Sequence, residues 1–117
     1  MNVVVLHGAV SSVVDRRALA SGVTVWSFDV TTKDADDRSH SVPVSWSDPP
    51  AGADVPVGVE VVVLGAVRRR FFRIGASTQS RTEVQAEMVV VGGDRRRRSR
   101  LMLEAQSRVR AEPSRRG

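Results

Sequence analysis

The chain of 117 residues contains no cysteine, a single lysine beside seventeen arginines, and only 4% aromatic residues. The missing thiols exclude disulfide stapling and thiolate metal sites, and a reducing cytosol is the expected compartment. The longest apolar stretch, residues 61–67, falls far short of the ~20 residues a membrane-crossing helix needs. The N-terminus lacks the basic and long apolar regions of a signal peptide. The expectation is a soluble, cytoplasmic protein without a membrane partner. At this length one domain and a tail fit, but not two cores.

What the sequence has in abundance is valine, which favours strands because its branched side chain suits a pleated, half-buried surface. Charge is distributed unevenly. Residues 1–91 carry nine basic and ten acidic side chains, a net charge of −1, whereas residues 92–117 carry nine arginines and three acids, a net charge of +6. The overall +5 therefore belongs to the tail, and the expected division is a domain over residues 1–91 followed by an arginine-rich tail over residues 92–117.

Strand signals follow one another with turn residues between them. Residues 2–6 open the chain and stop near Gly8. In residues 23–30, Trp26, Phe28 and Val30 share one face, and Val25, Ser27 and Asp29 the other. A charged loop leads to residues 41–46, where Val42, Val44 and Trp46 alternate and Pro43 argues for an edge or bulge. Residues 47–58, with three prolines and two glycines, read as a loop. The longest strand signal covers residues 60–73, interrupted by Gly65, the kind of residue that marks a bulge or barrel bend. Residues 75–79 read as a hairpin loop and residues 81–91 as the last strand. Beyond Gly92-Gly93 the arginine run 95–98 and a weak apolar stripe of Leu101, Leu103, Ala105 and Val109 predict a disordered or partly helical tail. Short strands without an intervening helix mean an all-β barrel or sandwich.

Catalytic and metal signatures are missing. The two histidines, His7 and His40, lie far apart and outside any metal-ligand spacing. Asp34, Asp36 and Asp37 lack the glycine and distal glutamate of a calcium loop and read as a solvated turn. No phosphate-cradling glycine loop and no nucleophile elbow are present. No enzyme, cofactor or metal is expected.

The positive signal is Val67-Arg-Arg-Arg-Phe-Phe-Arg73. On a strand, Arg68, Arg70 and Phe72 point one way, and Arg69, Phe71 and Arg73 the other. Guanidinium groups beside an aromatic ring suit a groove for unpaired nucleic acid: the cations neutralise phosphates while the ring stacks a base for about 1–3 kcal/mol. The same residues also fit an exposed strand end with one phenylalanine in the core. Trp26 and Trp46 are open in the same way between packing and stacking.

In order, these segments resemble the bacterial single-stranded-DNA-binding protein family. The resemblance rests on Asn2-Val-Val-Val-Leu6-His-Gly8, on Ser21-Gly22 followed by Val25-Trp-Ser-Phe28-Asp-Val30, on Glu60-Val-Val-Val-Leu-Gly65-Ala-Val67-Arg68, and on Arg81-Thr-Glu-Val84. It spans roughly residues 1–91. It implies an OB fold, a five-stranded Greek-key barrel, that binds single-stranded DNA in replication, recombination or repair as a homotetramer or homodimer associated with the nucleoid. By position, Phe72 falls on a base-stacking aromatic, Arg68 and Arg70 lie in the basic strand, and Trp46 falls near another stacking position in the third strand; Arg73 from the basic run and Trp26 complete the expected nucleic-acid-binding residues. The chain departs from the family in a shortened segment at residues 47–54 and in ending Pro113-Ser-Arg-Arg-Gly117 where the family carries an acidic, partner-recruiting tip. Recruitment of replication or repair proteins is thereby in doubt. The competing reading makes the barrel an oligomerisation or docking module whose basic tail binds RNA or duplex DNA.

Overall fold

The computed structural model describes residues 1–111, and residues 112–117, the end of the basic tail, lie outside the described residues. Six strands and one helix follow in the order β1 (Val4–Val10), β2 (Asp15–Ala18), β3 (Thr24–Lys33), β4 (Ser39–Ser47), β5 (Glu60–Ile74), β6 (Ser77–Val91) and α1 (Arg95–Ala111). β1 runs antiparallel to β5 from Val4↔Gly65 to Ala9↔Glu60, and its end, Ala9 and Val10, also pairs with Thr31 and Val30 of β3. β3 and β4 form a hairpin, β4 joins β6 in parallel at Val44↔Val84, and β5 and β6 form a second hairpin. The circuit β1–β5–β6–β4–β3–β1 is closed. This is the five-stranded OB barrel that the sequence leads one to expect.

The alternation of the valines supplies the core. Leu6, Val10, Phe28, Val30, Val44, Trp46, Val61, Val63, Val84 and Val89 turn inward, and Val55, from the loop between β4 and β5, joins them. Two glycines allow the strands to approach. A Cβ at Gly65 would stand 2.1 Å from the Gln85 carbonyl oxygen, and one at Gly8 would stand 2.2 Å from that of Thr31. The register shifts between Leu64 and Gly65, which pair with Met88 and Ala86, so a bulge does lie at the predicted interruption, but its extra residue, Glu87, belongs to β6.

Three boundaries differ from expectation. β1 runs on to Val10. β2 is a separate strand pairing with β3 from Asp15↔Ser27 to Ala18↔Thr24; all four of its residues are exposed, so it carries no apolar alternation to be read. The β5–β6 turn is only Gly75-Ala76, with Gly75 at φ 59°. A glycine at the first turn position fits the tight two-residue hairpin class that matches strand twist. Both strands therefore extend past the barrel as a two-stranded arm, from Arg68↔Glu83 to Ile74↔Ser77.

The tail forms a helix over 95–111. Asp94 caps it by accepting a hydrogen bond from the Arg97 N–H at 3.1 Å. Leu101 and Ala105 are buried against Val62, Leu64 and Val90 on the outside of the barrel, with Val3 and Met88 at the border. Arg108 pairs with Glu87 of β6 and with Glu104, and Arg98 reaches Glu60 at 3.7 Å. The helix thus covers the second face of β5 and β6, explaining why Val61, Val62, Val63 and Leu64 are all buried in succession.

Candidate functional site

Outward-facing positions of β3 and β4 alternate with core positions, placing Ser27 and Pro43 on the barrel's surface beside Phe28 and Val44. The arm curls over this surface because its roots, β5 and β6, leave the barrel directly beside β4. Between them lies a groove of about 260 Å³ lined by Arg70 and Phe72 of β5, Arg81 and Glu83 of β6, and Asp15 and Arg17 of β2, over Ser27 and Pro43. Cross-strand register explains the gathering. Arg70 stands opposite Arg81, Arg68 opposite Glu83, and Phe72 opposite Gln79, so these side chains share one face of the ribbon.

Two like charges opposite one another repel, and the Arg81 guanidinium is drawn instead to Asp29 of β3, 3.4 Å away. That contact ties the arm to the barrel wall. At the root, the Asn2 side-chain amide donates to the Val67 carbonyl at 2.7 Å, and its oxygen accepts from the Val67 N–H at 2.8 Å. Arg68 donates to the Gln85 side chain at 3.3 Å. The groove's walls are thus held in place while Arg70 and the half-buried Phe72 ring face its opening.

The residues expected to act together are divided by the structure. Arg70 and Phe72 meet in the groove; Arg68 shares their face further down the ribbon. Arg73 is exposed near the arm's tip, next to Phe71 on the opposite face, itself 66% exposed. Trp26 and Trp46 are a directly paired cross-strand couple, edge to face with ring centroids 5.8 Å apart. Trp46 is only 6% exposed and belongs to the core. Its border reaches a second hollow of about 260 Å³, shared with Arg97 and Arg100 of α1. Trp26 is partly buried, and the Arg16 guanidinium lies over its ring at 4.4 Å.

Arg81, Glu83, Asp15 and Arg17 were not expected from the sequence as site residues, although Arg81 and Glu83 stand in the segment Arg81-Thr-Glu-Val84. A two-residue turn at Gly75-Ala76 in place of a five-residue loop sets Arg81 opposite Arg70, so the correct hairpin register was the signal that would have found it. Glu83 is 5% exposed, and its Oε1 has no hydrogen-bond partner.

Away from the groove, the histidines pair with carboxylates. Hydrogen bonding to His7, followed by the charge of His7, holds Glu60 below the ordinary glutamate range; desolvation opposes this, and the charge of Arg98 adds the least. Asp34 lies below the ordinary aspartate range, first because of His40 at 2.7 Å and then because its carboxylate accepts from the backbone N–H groups of Arg38 and Asp36. Its carboxylate is occupied in closing its own turn.

No family model matches the sequence, and no curated protein sequence matches it. Solved structures do match. The N-terminal domain of PriB protein from Thermoanaerobacter tencongensis, described as dimeric, superposes with a TM-score of 0.64 at 19% identity, covering 80% of this chain and 98% of that one. Plasmodium falciparum SSB in complex with ssDNA superposes with a TM-score of 0.66 at 17% identity, over 80% of this chain and 96% of the other. At these identities the likeness is one of fold.

Proposed function

We propose that the groove between the arm and the barrel wall binds single-stranded DNA, and that the protein does so without catalysing a reaction. The observation that carries this reading is the half-buried Phe72 ring set in one concave surface with Arg70, Arg81 and Arg17. A polyanion with planar, unpaired bases is what such a surface complements: the arginines meet phosphates, and the ring meets a base face. Stacking accepts any base, so affinity is broad. The ssDNA complex formed by the Plasmodium SSB of the same fold supports the assignment. Phe72 and Arg70 carry most of the binding; Arg68 and Arg73 extend the basic path along the arm, and Trp26 contributes ring surface beside Arg16, with Trp46 packed behind it.

The protein works as a homo-oligomer, a dimer or tetramer, with a role in replication, recombination or repair at the nucleoid. The edge of β1 supports this: residues 4–8 pair with β5 on one side, while pairing with β3 is confined to Ala9 and Val10. Unpaired strand edges invite pairing with a second chain, and the PriB domain of similar fold is dimeric.

The test is titration of labelled oligo-dT with the full chain, followed by anisotropy at several salt concentrations. Binding should weaken with salt at a log–log slope of about −0.7 per phosphate contacted. A second reading, in which α1 alone carries nucleic acid, draws on the exposed Arg95, Arg96 and Arg97. Deleting the helix would bare Val62, Leu64 and Val90, so point changes discriminate better. If Arg96→Ser with Arg100→Ser and Arg110→Ser abolishes oligo-dT binding while Arg70→Ala with Phe72→Ala leaves it intact, the groove is not the site.

A further inference from the structure

The floor of the groove holds a group that neither phosphate neutralisation nor ring stacking uses. Glu83 lines the groove between Arg70, Phe72 and Arg81, is 5% exposed, and has a buried Oε1 without a hydrogen-bond partner. A surface built only to attract a polyanion gains nothing from a carboxylate at its floor, which repels phosphate. A buried acceptor without a donor is costly to the fold, and the cost is relieved when a ligand brings an N–H group to it. Arg68, directly across the ribbon, donates to Gln85, and Arg81 pairs with Asp29, and neither guanidinium satisfies this oxygen. The terminal torsion of a glutamate is soft and roughly two-fold, so a small rotation turns the buried oxygen toward the groove.

The candidate donors are the Watson–Crick edges of unpaired bases. A carboxylate is acceptor-only, with two oxygens side by side. Thymine offers it one N–H between two carbonyl oxygens. Cytosine and adenine each offer an amino group next to a ring-nitrogen lone pair. Guanine alone presents two adjacent donors, N1–H and N2–H₂, and so complements both carboxylate oxygens in the two-pronged geometry that makes charge-assisted hydrogen bonds strong and directional. The groove, at about 260 Å³, has room for a single base against Phe72.

We propose that Glu83 reads guanine at one position of an otherwise non-selective strand: a guanine stacked on Phe72 donates N1–H and N2–H₂ to the Glu83 carboxylate, while Arg70 and Arg81 take the flanking phosphates. The inference rests on the single-strand reading above and adds a base preference to it. Read-out of an extruded base by hydrogen bonds to its pairing edge and by stacking is general in proteins that handle unpaired nucleotides.

The test uses the full chain and labelled thymidine 11-mers whose central position is dT, dG, dI or dA. Inosine keeps N1–H and lacks the guanine amino group. The dG oligomer should bind roughly five- to 150-fold more tightly than the dT oligomer, the range expected of a good bidentate contact, with dI in between and dA near dT. Glu83→Gln should erase the dG preference, so that the dG and dT oligomers bind the variant alike. Equal affinity for dG and dT oligomers, or a preference that survives in Glu83→Gln, overturns the proposal. The dG-against-dI comparison needs no variant, and equal binding of these two oligomers overturns the proposal even if Glu83→Gln fails to fold. If dT and dG oligomers bind equally well, the guanine contact alone falls; if none binds, the single-strand reading falls with it.

Discussion

β5 is two strands in one. Its first half, Val61 to Leu64, has side chains buried on both faces, against the barrel core on one side and against α1 on the other. Its second half, from Val67 to Ile74, is exposed apart from the half-buried Phe72. The backbone pairs with β6 along both halves, so hydrogen bonding does not separate them. Burial does: the first half packs its side chains on both faces, whereas the second leaves its charges and rings open to solvent and to the groove. A substitution should therefore report on stability in one half and on binding in the other.

The largest effect is expected from Leu64→Ala. Leu64 is fully buried, and truncating such a side chain costs about 2–5 kcal/mol, to be read from the urea midpoint; oligo-dT affinity of the folded fraction should hold. Leu101→Ala sharpens the contrast from the other side of the same contact. It should cost about 2 kcal/mol and lower helical circular dichroism, because Leu101 and Ala105 are the buried residues of α1. An unchanged helical signal would show that packing on β5 is not what holds the helix.

Phe72→Ala reverses the pattern. Loss of a stacking ring is worth about 1–3 kcal/mol of binding, roughly a five- to hundredfold weaker Kd for oligo-dT, at a smaller stability cost than Leu64→Ala. Arg70→Ala with Arg81→Ala should reduce the salt slope by about 0.7 for each lost phosphate contact, with stability changed within about 0.5 kcal/mol. If this pair unfolds the protein, the two halves of β5 are not separable.

The smallest effect is a pH dependence. Glu60, at the start of β5, has its carboxyl held below the ordinary range chiefly by His7. A depressed carboxylate contributes stability above its unfolded pKa and loses that contribution as pH falls through the folded value. Acid should thus loosen the His7–Glu60 contact, and carboxyl NMR should show Glu60 titrating at higher pH in His7→Ala than in the native chain. An unmoved Glu60 titration would assign the shift to Arg98.

Much of the barrel could be read from the valines, because one residue type set at alternating positions reports burial directly. β2 could not, since Asp15-Arg16-Arg17-Ala18 is fully exposed and is a strand only through its pairing with β3. The helix was half legible: its arginines hide a buried face only two residues wide, Leu101 and Ala105. In the groove, Phe72 and Arg70 stood out because rings and guanidinium groups are rare company on a strand. Glu83 did not, because a glutamate in an alternating strand ordinarily marks the solvent side. The tryptophans were ambiguous in sequence for want of register; Trp26↔Trp46 pairing makes each the other's packing partner.

The first turn of α1 contains no acidic residue and begins with Arg95, Arg96, Arg97 and Arg98, at the end of a helix where positive charge is disfavoured. Ionic strength should therefore pull the molecule in two directions. Added salt screens the crowding of like charges at that end, which favours the helix, but it also weakens the Arg98–Glu60 and Arg108–Glu87 pairs that fasten the helix to the barrel and the binding proposed for the groove. The packing of Leu101 and Ala105, which salt does not screen, is then what keeps the helix seated.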